Sequence, residues 1–154
     1  MKEKIAVLLP AYNEEITIQK VIRDFQKVLP QADIYVYDNN SKDRTNELAR
    51  EAGVFVKFEP RQGKGNVVRS MFREIDADYY IMADADDTYP AAEVEKLLAP
   101  LRSGMADMTI GDRLSNGTYS QENKRGFHDF GNNLVKYLIN SLYKGSYNDI
   151  MTGY

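Results

Sequence analysis

The sequence of 154 residues contains no cysteine and only one histidine. Without cysteine the chain has no disulfides, no thiol catalysis and no cysteine-ligated zinc, which fits a reducing compartment. Charge of one sign is not in large excess, since the formal net charge is -3. The charge balance therefore does not point to a nucleic-acid partner. The single histidine, His128, precedes Asp129 at the start of a predicted helix, where a surface or capping role is favoured over catalysis.

Long apolar runs are also missing. The N-terminal run from Ile5 to Leu9 ends at Pro10 and is too short for the apolar part of a signal peptide. No stretch approaches the roughly eighteen apolar residues of a membrane span, so we expect the chain itself to be soluble. With 43% hydrophobic and 28% charged residues, the composition is that of a globular protein with a sizeable core.

Strand and helix patterns alternate along the chain. Apolar runs predict five strands, at residues 4–10, 32–38, 53–58, 78–84 and 106–112. Apolar residues at spacings of three and four predict helices between them, including a short helix that ends at Gly53 and a final helix over 127–142. This alternation predicts an α/β domain with a mostly parallel sheet, in which ligands bind at the carboxyl ends of the strands.

Three carboxylates follow the fourth predicted strand in YYIMADADDTYP, at Asp84, Asp86 and Asp87. Carboxylates this close repel one another unless a cation is bound among them. Asp84 and Asp86, two residues apart at a strand end, can reach one hard cation, and Mg²⁺ or Mn²⁺ usually keeps waters and substrate phosphates as further ligands. The alternative is an acidic turn in which Asp87 or Thr88 caps the helix that begins near Pro90.

Polar or glycine-rich segments follow the other predicted strands as well, with the sequences PAYNEE, DNNSKDRT, RQGKGNVVRS and IGDR. Gly63 and Gly65 would let the backbone approach a ligand closely. Arg61 and Lys64 supply cations that could meet phosphate, although a solvated basic turn is the alternative. Asp38 could accept a hydrogen bond from a base or ribose, although aspartate is also favoured in ordinary turns.

These segments, in this order, resemble family-2 inverting glycosyltransferases of the GT-A fold, which has a Rossmann-like sheet flanked by helices. The resemblance covers essentially the whole chain and is greatest to enzymes related to dolichol-phosphate mannose synthase. Their later Asp-x-x-(Ser/Thr)-Gly-Tyr motif is similar to DIMTGY at 149–154. The resemblance implies a metal-dependent transferase that moves a sugar, with inversion, from a UDP- or GDP-sugar to a polyprenyl phosphate. It also implies a cytoplasmic location, with the parent enzyme at the cytoplasmic face of a membrane.

The resemblance implies a role for each matching residue. Asp86 would ligate the Mg²⁺ or Mn²⁺ that holds the donor diphosphate, with Asp84 nearer the ribose or a metal-bound water. Arg113 and Arg125 would contact the diphosphate or the acceptor phosphate, and Asp149 would orient the acceptor or act as its base. The nucleotide-sugar site would comprise the matched residues Pro10, Ala11, Tyr12, Glu14, Asp38, Lys64, Asp84 and Ala85.

The sequence also departs from the family pattern. Thr88 stands where a glutamine is common, which puts the third metal ligand in doubt, and Asp38 is followed by Asn39 and Asn40 where many relatives have a second aspartate. The chain ends inside the Gly-Tyr motif. We therefore expect residues 1–154 to be a single catalytic domain truncated at its C-terminal end, a truncation that could prevent turnover.

Three alternatives stay open at this point. A non-catalytic nucleotide-sugar-binding fragment would differ from the enzyme only in turnover. A haloacid-dehalogenase-like phosphatase would use Asp84 as nucleophile and Asp86 as general acid, but its motif usually lies on the first strand of the domain. An NAD-type Rossmann oxidoreductase would need a Gly-x-Gly-x-x-Gly turn after the first strand, where this sequence has PAYNEE.

Overall fold

A four-stranded parallel sheet is the centre of the computed structural model, which describes residues 3–111. The strands are β1 (Ile5–Ala11), β2 (Asp33–Asp38), β3 (Phe55–Phe58) and β4 (Tyr79–Met82). They lie in the order β3-β2-β1-β4, and every pair of neighbours is parallel. The predicted α/β class with a parallel sheet is confirmed.

Helices alternate with the strands, as the spacing of apolar residues predicts. They are α1 (Ile18–Val28), α2 (Thr45–Glu51), α3 (Lys64–Glu74) and α4 (Val94–Arg102), the last preceded by a 3₁₀ turn at Ala91–Glu93. Connections between parallel strands are right-handed, and the chain moves one way from β1 to β3 and returns to β4. As a result α1 and α2 lie on one face of the sheet and α3 lies on the other.

The core is formed where helices cover both faces of β1. Residues Ile5 to Leu9 of this strand are no more than 1% exposed, which explains why the sequence shows a continuous apolar run here. On the α3 side one apolar cluster joins the helix to the sheet, and its members are Ala6, Leu8, Tyr37, Val67, Met71 and Ile75. This packing holds the body of α3 against the sheet.

The prediction of a fifth strand over 106–112 is wrong for the residues that the structure describes. Residues 106–111 form no strand. The N–H groups of Met105 and Ala106 donate to the carbonyl oxygen of Pro100, at 3.0 and 3.3 Å, so the backbone here closes the end of α4. A short alternating run forms a strand only where a neighbouring strand pairs with it.

The chain divides into two compact units between residues 99 and 100. The sheet and the first three helices lie in the unit 1–99, and residues 100–111 belong to the second unit. No helix among residues 3–111 is long and apolar enough to cross a membrane. The final helix predicted over 127–142 lies outside the described residues, and the single catalytic domain over 1–154 stays a prediction.

Candidate functional site

A cleft of about 290 Å³ opens at the carboxyl ends of β1 and β4. From β1 the chain leads to β2 and β3 on one side, and α3 then brings it back to β4 on the other side of β1. The order of the strands thus reverses between β1 and β4, and such switch points are where α/β sheets bind ligands. Twelve residues line the cleft: Pro10, Ala11, Tyr12, Glu14, Asn39, Gln62, Gly63, Lys64, Val67, Asp84, Ala85 and Asp86.

Eight of the nine described residues that the sequence assigns to donor and metal binding lie on this cleft. The exception is Asp38, which is buried and accepts hydrogen bonds from the backbone N–H of Ser41 at 3.0 Å and the side-chain amide of Asn46 at 3.1 Å. Asp38 thus holds the loop between β2 and α2, and its binding role stays a prediction. Three predicted catalytic residues lie outside the described residues: Arg113, Arg125 and Asp149.

The loop after β1 is fixed to the loop after β2 by hydrogen bonds. The backbone N–H of Glu14 donates to Thr45 Oγ1 at 2.7 Å, and that of Asn13 donates to Ser41 Oγ at 3.0 Å. Thr45 is fully buried, and its hydroxyl donates to Asp43 Oδ1 at 2.6 Å. These bonds fix the backbone that carries Glu14, so this wall of the cleft is formed before any ligand binds.

The acidic turn after β4 does not cap the following helix. Asp86 Oδ1 accepts from the backbone N–H of Thr88 at 3.0 Å, which closes a local turn typical of aspartate. Asp87 has φ +64° and pairs with Lys20 of α1 at 2.7 Å. No side-chain bond caps the 3₁₀ turn at Pro90, so the structure does not support the alternative in which Asp87 or Thr88 caps this helix. Asp86 faces the cleft, whereas Asp87 ties this turn to α1.

Carboxylates crowd the cleft, and Glu14 shows the effect. Burial raises the pKa of Glu14, and the negative charge of Asp86 raises it further. A hydrogen bond from Thr17 acts in the opposite direction, while Asp43 and Asp84 add smaller repulsive contributions. Like charges held this close favour the binding of a cation among them.

Lys64 is the cation that faces these acids. Its Nζ contacts Asp84 Oδ1. Lys64 is also the first residue of α3, and it follows Gly63, whose φ of +120° is a backbone conformation that favours glycine. A helix N-terminus carries partial positive charge and free N–H groups, which suit a phosphate. The cleft thus combines a carboxylate group with a cationic helix start.

Arg61, the other cation of the RQGKG segment, does not line the cleft. Its Nε donates to Glu59 Oε1 at 3.0 Å, and its backbone N–H donates to the same oxygen at 2.9 Å. Arg61 therefore closes the turn before α3, and of the two cations in RQGKG only Lys64 lines the cleft.

Asp84 and Asp86 fit a cation that shares its coordination with a ligand. Within residues 3–111 no group of three or more His, Cys, Asp or Glu side chains is placed to hold a metal ion by itself. A hard divalent cation that keeps waters and binds substrate phosphates needs only one or two protein carboxylates. The donor set therefore suits Mg²⁺ or Mn²⁺ bound together with a diphosphate, and it does not suit an ion held by protein alone.

Three lining residues have no role predicted from the sequence: Asn39, Gln62 and Val67. Gln62 and Gly63 lie in the RQGKG segment, and the glycine was already notable as a place of close backbone approach. Val67 follows the helical spacing of α3 and is indistinguishable from a core residue. Asn39 directly follows Asp38, the residue to which the sequence assigns a role. Successive side chains of an extended backbone point to opposite sides, so of these two neighbours it is Asn39 that lines the cleft.

Comparison with known proteins decides the family. The family model described as glycosyl transferase family 2 matches residues 6–152. The chain belongs to this family. This family-2 chain is 50% identical over 113 residues to protein RfbJ of Shigella flexneri. The aligned region covers 73% of this chain and 88% of that protein. It is 35% identical over 156 residues to glycosyltransferase AglJ of Haloferax volcanii, which covers 99% of this chain and 49% of that protein.

Solved structures of similar proteins show the same fold. A glucosyl-3-phosphoglycerate synthase from Mycobacterium tuberculosis, in complex with Mn²⁺, UDP-glucose and phosphoglyceric acid, superposes with a TM-score of 0.59 at 28% identity. The match covers 66% of this chain and 40% of that chain. The fold is the GT-A fold of glycosyltransferases, as the sequence resemblance implies. This family-2 chain spans about half the length of AglJ and less than half of the synthase.

Replacing Glu14 by glutamine should stabilise the metal-free protein at neutral pH. A raised pKa means that the folded protein binds the proton more tightly than the unfolded chain does. Ionised Glu14 therefore lowers stability as the pH rises from its ordinary value of 4.5 through the folded pKa. We expect the melting temperature of Glu14→Gln to exceed that of the parent at pH 7.5, with the difference shrinking toward pH 4.

The measurement is a series of thermal unfolding curves from pH 4 to pH 7.5 in a chelator. Glu51→Gln, which removes one carboxylate at an exposed position in α2 outside the cleft, is the matched control. A Glu14→Gln difference that stays constant across this range would contradict the repulsion described for the cleft.

Proposed function

We propose that this protein binds a nucleotide-diphosphate sugar together with Mg²⁺ or Mn²⁺ in the cleft, as the donor site of an inverting glycosyltransferase. The observation that carries the proposal is the juxtaposition of Glu14, Asp84 and Asp86 with Lys64 at the start of α3. A diphosphate with a divalent cation needs both sets of groups, because the cation binds the carboxylates and the phosphates bind Lys64 and the helix start. Complexes of the related synthase with Mn²⁺ and UDP-glucose support this reading.

In this proposal the nucleoside lies along the segment after β1. Pro10 and Ala11 would form an apolar part of the cleft wall. Tyr12, which is 46% exposed, would supply a ring that can pack against the base or ribose. Ala85 lies between Asp84 and Asp86, and its carbonyl oxygen accepts from the Thr17 hydroxyl at 2.8 Å, so the backbone of the acid pair is fixed to the start of α1. Asp38 would act through the loop that it holds.

Asp86 is the proposed main ligand of the cation, and Asp84 the second. Asp84 also contacts Lys64, so a bound diphosphate would compete with Asp84 for that ammonium group. The chemistry that a divalent cation supplies in such a site is stabilisation of the negative charge on the leaving nucleoside diphosphate. Lys64 and the N-terminus of α3 would stabilise the same charge.

We propose a polyprenyl phosphate as the acceptor. Relatives named dolichyl-phosphate hexose transferase of Haloferax volcanii and dolichol-phosphate mannosyltransferase of Pyrococcus furiosus support this class. An oxygen of the acceptor phosphate would attack the anomeric carbon in line, and the bond from that carbon to the nucleoside diphosphate would break, with inversion. Since this phosphate is ionised near neutral pH, no strong base is needed.

In the same proposal Asp149 orients the acceptor, and Arg113 and Arg125 bind its phosphate or the donor diphosphate. A lipid acceptor would place the parent enzyme at the cytoplasmic face of a membrane. The phosphatase alternative, with Asp84 as nucleophile, receives no support from the family match. A fragment that binds the donor without transferring its sugar remains the second reading, because the chain spans only part of relatives such as AglJ.

The proposal predicts that one nucleoside diphosphate, UDP or GDP, raises the melting temperature only when Mn²⁺ or Mg²⁺ is present. A ligand at a hundred times its dissociation constant stabilises the folded state by about 2.7 kcal/mol, which is several degrees for a chain of this size. The measurement is a thermal-shift series with UDP, GDP and their sugars, with divalent cation or with EDTA. The matching monophosphates are the control, since they lack the second phosphate. Equal shifts from mono- and diphosphates, without metal dependence, would overturn the proposal.

Turnover is measured separately, as partition of labelled sugar into the organic phase with polyprenyl phosphate. Binding of the nucleotide sugar without transfer to any acceptor would favour the alternative that this chain is a non-catalytic nucleotide-sugar-binding fragment.

A further inference from the structure

Asn39 is a buried residue whose side-chain amide is fully hydrogen bonded. It directly follows β2, is 4% exposed and contributes to the wall of the cleft. Its Nδ2 donates to the carbonyl oxygens of Glu59 at 2.9 Å and Arg61 at 2.8 Å. Its Oδ1 accepts from the backbone N–H of Gly63 at 2.7 Å and from the amide of Gln62 at 3.4 Å. All four hydrogen-bonding positions of the amide are therefore used within the protein.

Only an amide satisfies this set of partners. Two carbonyl oxygens need donors, and the N–H of Gly63 needs an acceptor, so the orientation of the Asn39 amide follows from its partners. An aspartate would keep the acceptor toward Gly63 but would place negative oxygen against the carbonyls of Glu59 and Arg61. A buried polar group that loses its partner is destabilising, and a buried charge more so.

The segment that Asn39 holds leads directly into the helix start. Residues 59–63 connect β3 to α3, and Lys64 is the next residue. The same segment is fixed from within, because Glu59 binds Arg61 and also contacts Ser70 of α3. Asn39 and Asn40 both tie it to the end of the neighbouring strand β2, and of these two residues Asn39 is the one that bonds Gly63, next to Lys64.

We propose that Asn39 is a positioning residue for the donor diphosphate, which holds 59–63 so that Lys64 and the N-terminus of α3 face the cleft. Asn39 acts through Gly63 and the two carbonyls and leaves no hydrogen-bonding position for the nucleotide itself. The inference rests on the proposed function, since it assumes that a diphosphate binds at Lys64.

Asn39→Asp is the sharpest variant, because it preserves shape and changes two donors into acceptors. Its matched control is Asn40→Asp, which makes the same charge change at the next residue. Asn40 donates to the carbonyls of Glu59 and Pro60 at 3.2 Å and lies neither on the cleft nor against Gly63. Asn40 has φ +68°, which aspartate tolerates about as well as asparagine. We expect Asn39→Asp to weaken binding of UDP or GDP with Mn²⁺ about tenfold or more at pH 8, and Asn40→Asp to weaken it much less.

A pH series separates positioning from general damage. Once protonated, the carboxyl group that Asn39→Asp introduces can again donate to one carbonyl, so the affinity of this variant relative to the parent should recover from pH 8 to pH 6. The charged groups around position 39 are Asp38 on β2, Glu59 and Arg61 on the connecting segment, and Lys64 on α3. The hydrogen bond from Arg61 and the contact with Ser70 lower the pKa of Glu59 to about 2, so Glu59 stays ionised throughout this range. Taking the ratio to the parent at each pH cancels the groups that both proteins share.

A measurement on the parent protein does not depend on whether the variants fold. The amide hydrogen of Gly63 should exchange slowly with solvent in the ligand-free protein, because it is bonded to Asn39. Fast, unprotected exchange at Gly63 would overturn the inference, and so would equal affinities of Asn39→Asp and Asn40→Asp. If the parent binds neither UDP nor GDP with Mn²⁺, the proposed function fails, and a protected Gly63 amide would still distinguish that failure from a wrong account of Asn39.

Discussion

Asp86→Asn should lower the affinity for the nucleoside diphosphate with Mn²⁺ at least about 100-fold and leave the fold intact. Removing a residue that hydrogen-bonds to a metal ligand typically lowers metal affinity about 10- to 100-fold. Asp86 is proposed as a direct ligand, so its replacement should have at least the upper end of that effect. The amide of asparagine can still accept the 3.0 Å bond from the N–H of Thr88, so the turn after β4 is retained. What the substitution removes is the charge that faces the cleft.

Asp87→Asn is the matched control for this prediction. Asp87 is adjacent, carries the same charge and has a φ of +64°, which asparagine also tolerates. Its carboxylate pairs with Lys20 and does not line the cleft. An exposed ion pair of this kind is worth at most about 1 kcal/mol, so the control should lose a little stability and keep its affinity.

Isothermal titration with Mn²⁺ present and absent measures both variants. Equal affinity in Asp86→Asn and the parent would remove Asp86 from the metal site. Equal losses in Asp86→Asn and Asp87→Asn would mean that the acidic turn acts through its total charge and not through one ligand.

Most of the fold could be predicted, because apolar runs and the helical spacing of apolar residues follow which side chains are buried. The run at 4–10 predicts a strand covered on both faces, and β1 is that strand. Gly53, predicted to end a helix, has φ +73° and directly follows Ala52, the C-terminal cap of α2. The failure at 106–112 has a physical cause, since a strand needs a partner that the sequence of the segment does not specify.

The site was predictable where its chemistry lies within a few residues. The pair Asp84 and Asp86 at a strand end was visible from spacing alone, and both line the cleft. The contact between Lys64 and Asp84 joins residues twenty positions apart, and Asn39 reaches Gly63 across twenty-four. Such contacts depend on how strands are ordered in the sheet. Sequence therefore indicated which strand ends matter, and the fold determined which side chains meet there.

Met71→Ala should cost about 2–5 kcal/mol of unfolding free energy, whereas its neighbour Phe72→Ala should cost less than about 1.5 kcal/mol. Met71 is fully buried in the cluster that joins α3 to the sheet, and its loss leaves a cavity there. Phe72 is the larger side chain, but it is 52% exposed and makes an edge-to-face contact with Tyr80, with ring centroids 5.3 Å apart. Urea unfolding of both variants and the parent measures the difference, and a Phe72→Ala cost equal to that of Met71→Ala would contradict the assigned packing of α3.

The same pair of variants tests whether stability and binding are separable in α3. Lys64 begins this helix and is held by the segment 59–63 through Asn39, whereas Met71 lies nearly two turns further along. We expect Met71→Ala, well below its melting temperature, to keep most of its affinity for the nucleoside diphosphate with Mn²⁺. If affinity instead falls in proportion to stability, the helix start is positioned by the core as a whole. The hydrogen bonds of Asn39 would then contribute little to the position of Lys64. In that case the affinity lost in Asn39→Asp would be no larger than its loss of stability explains.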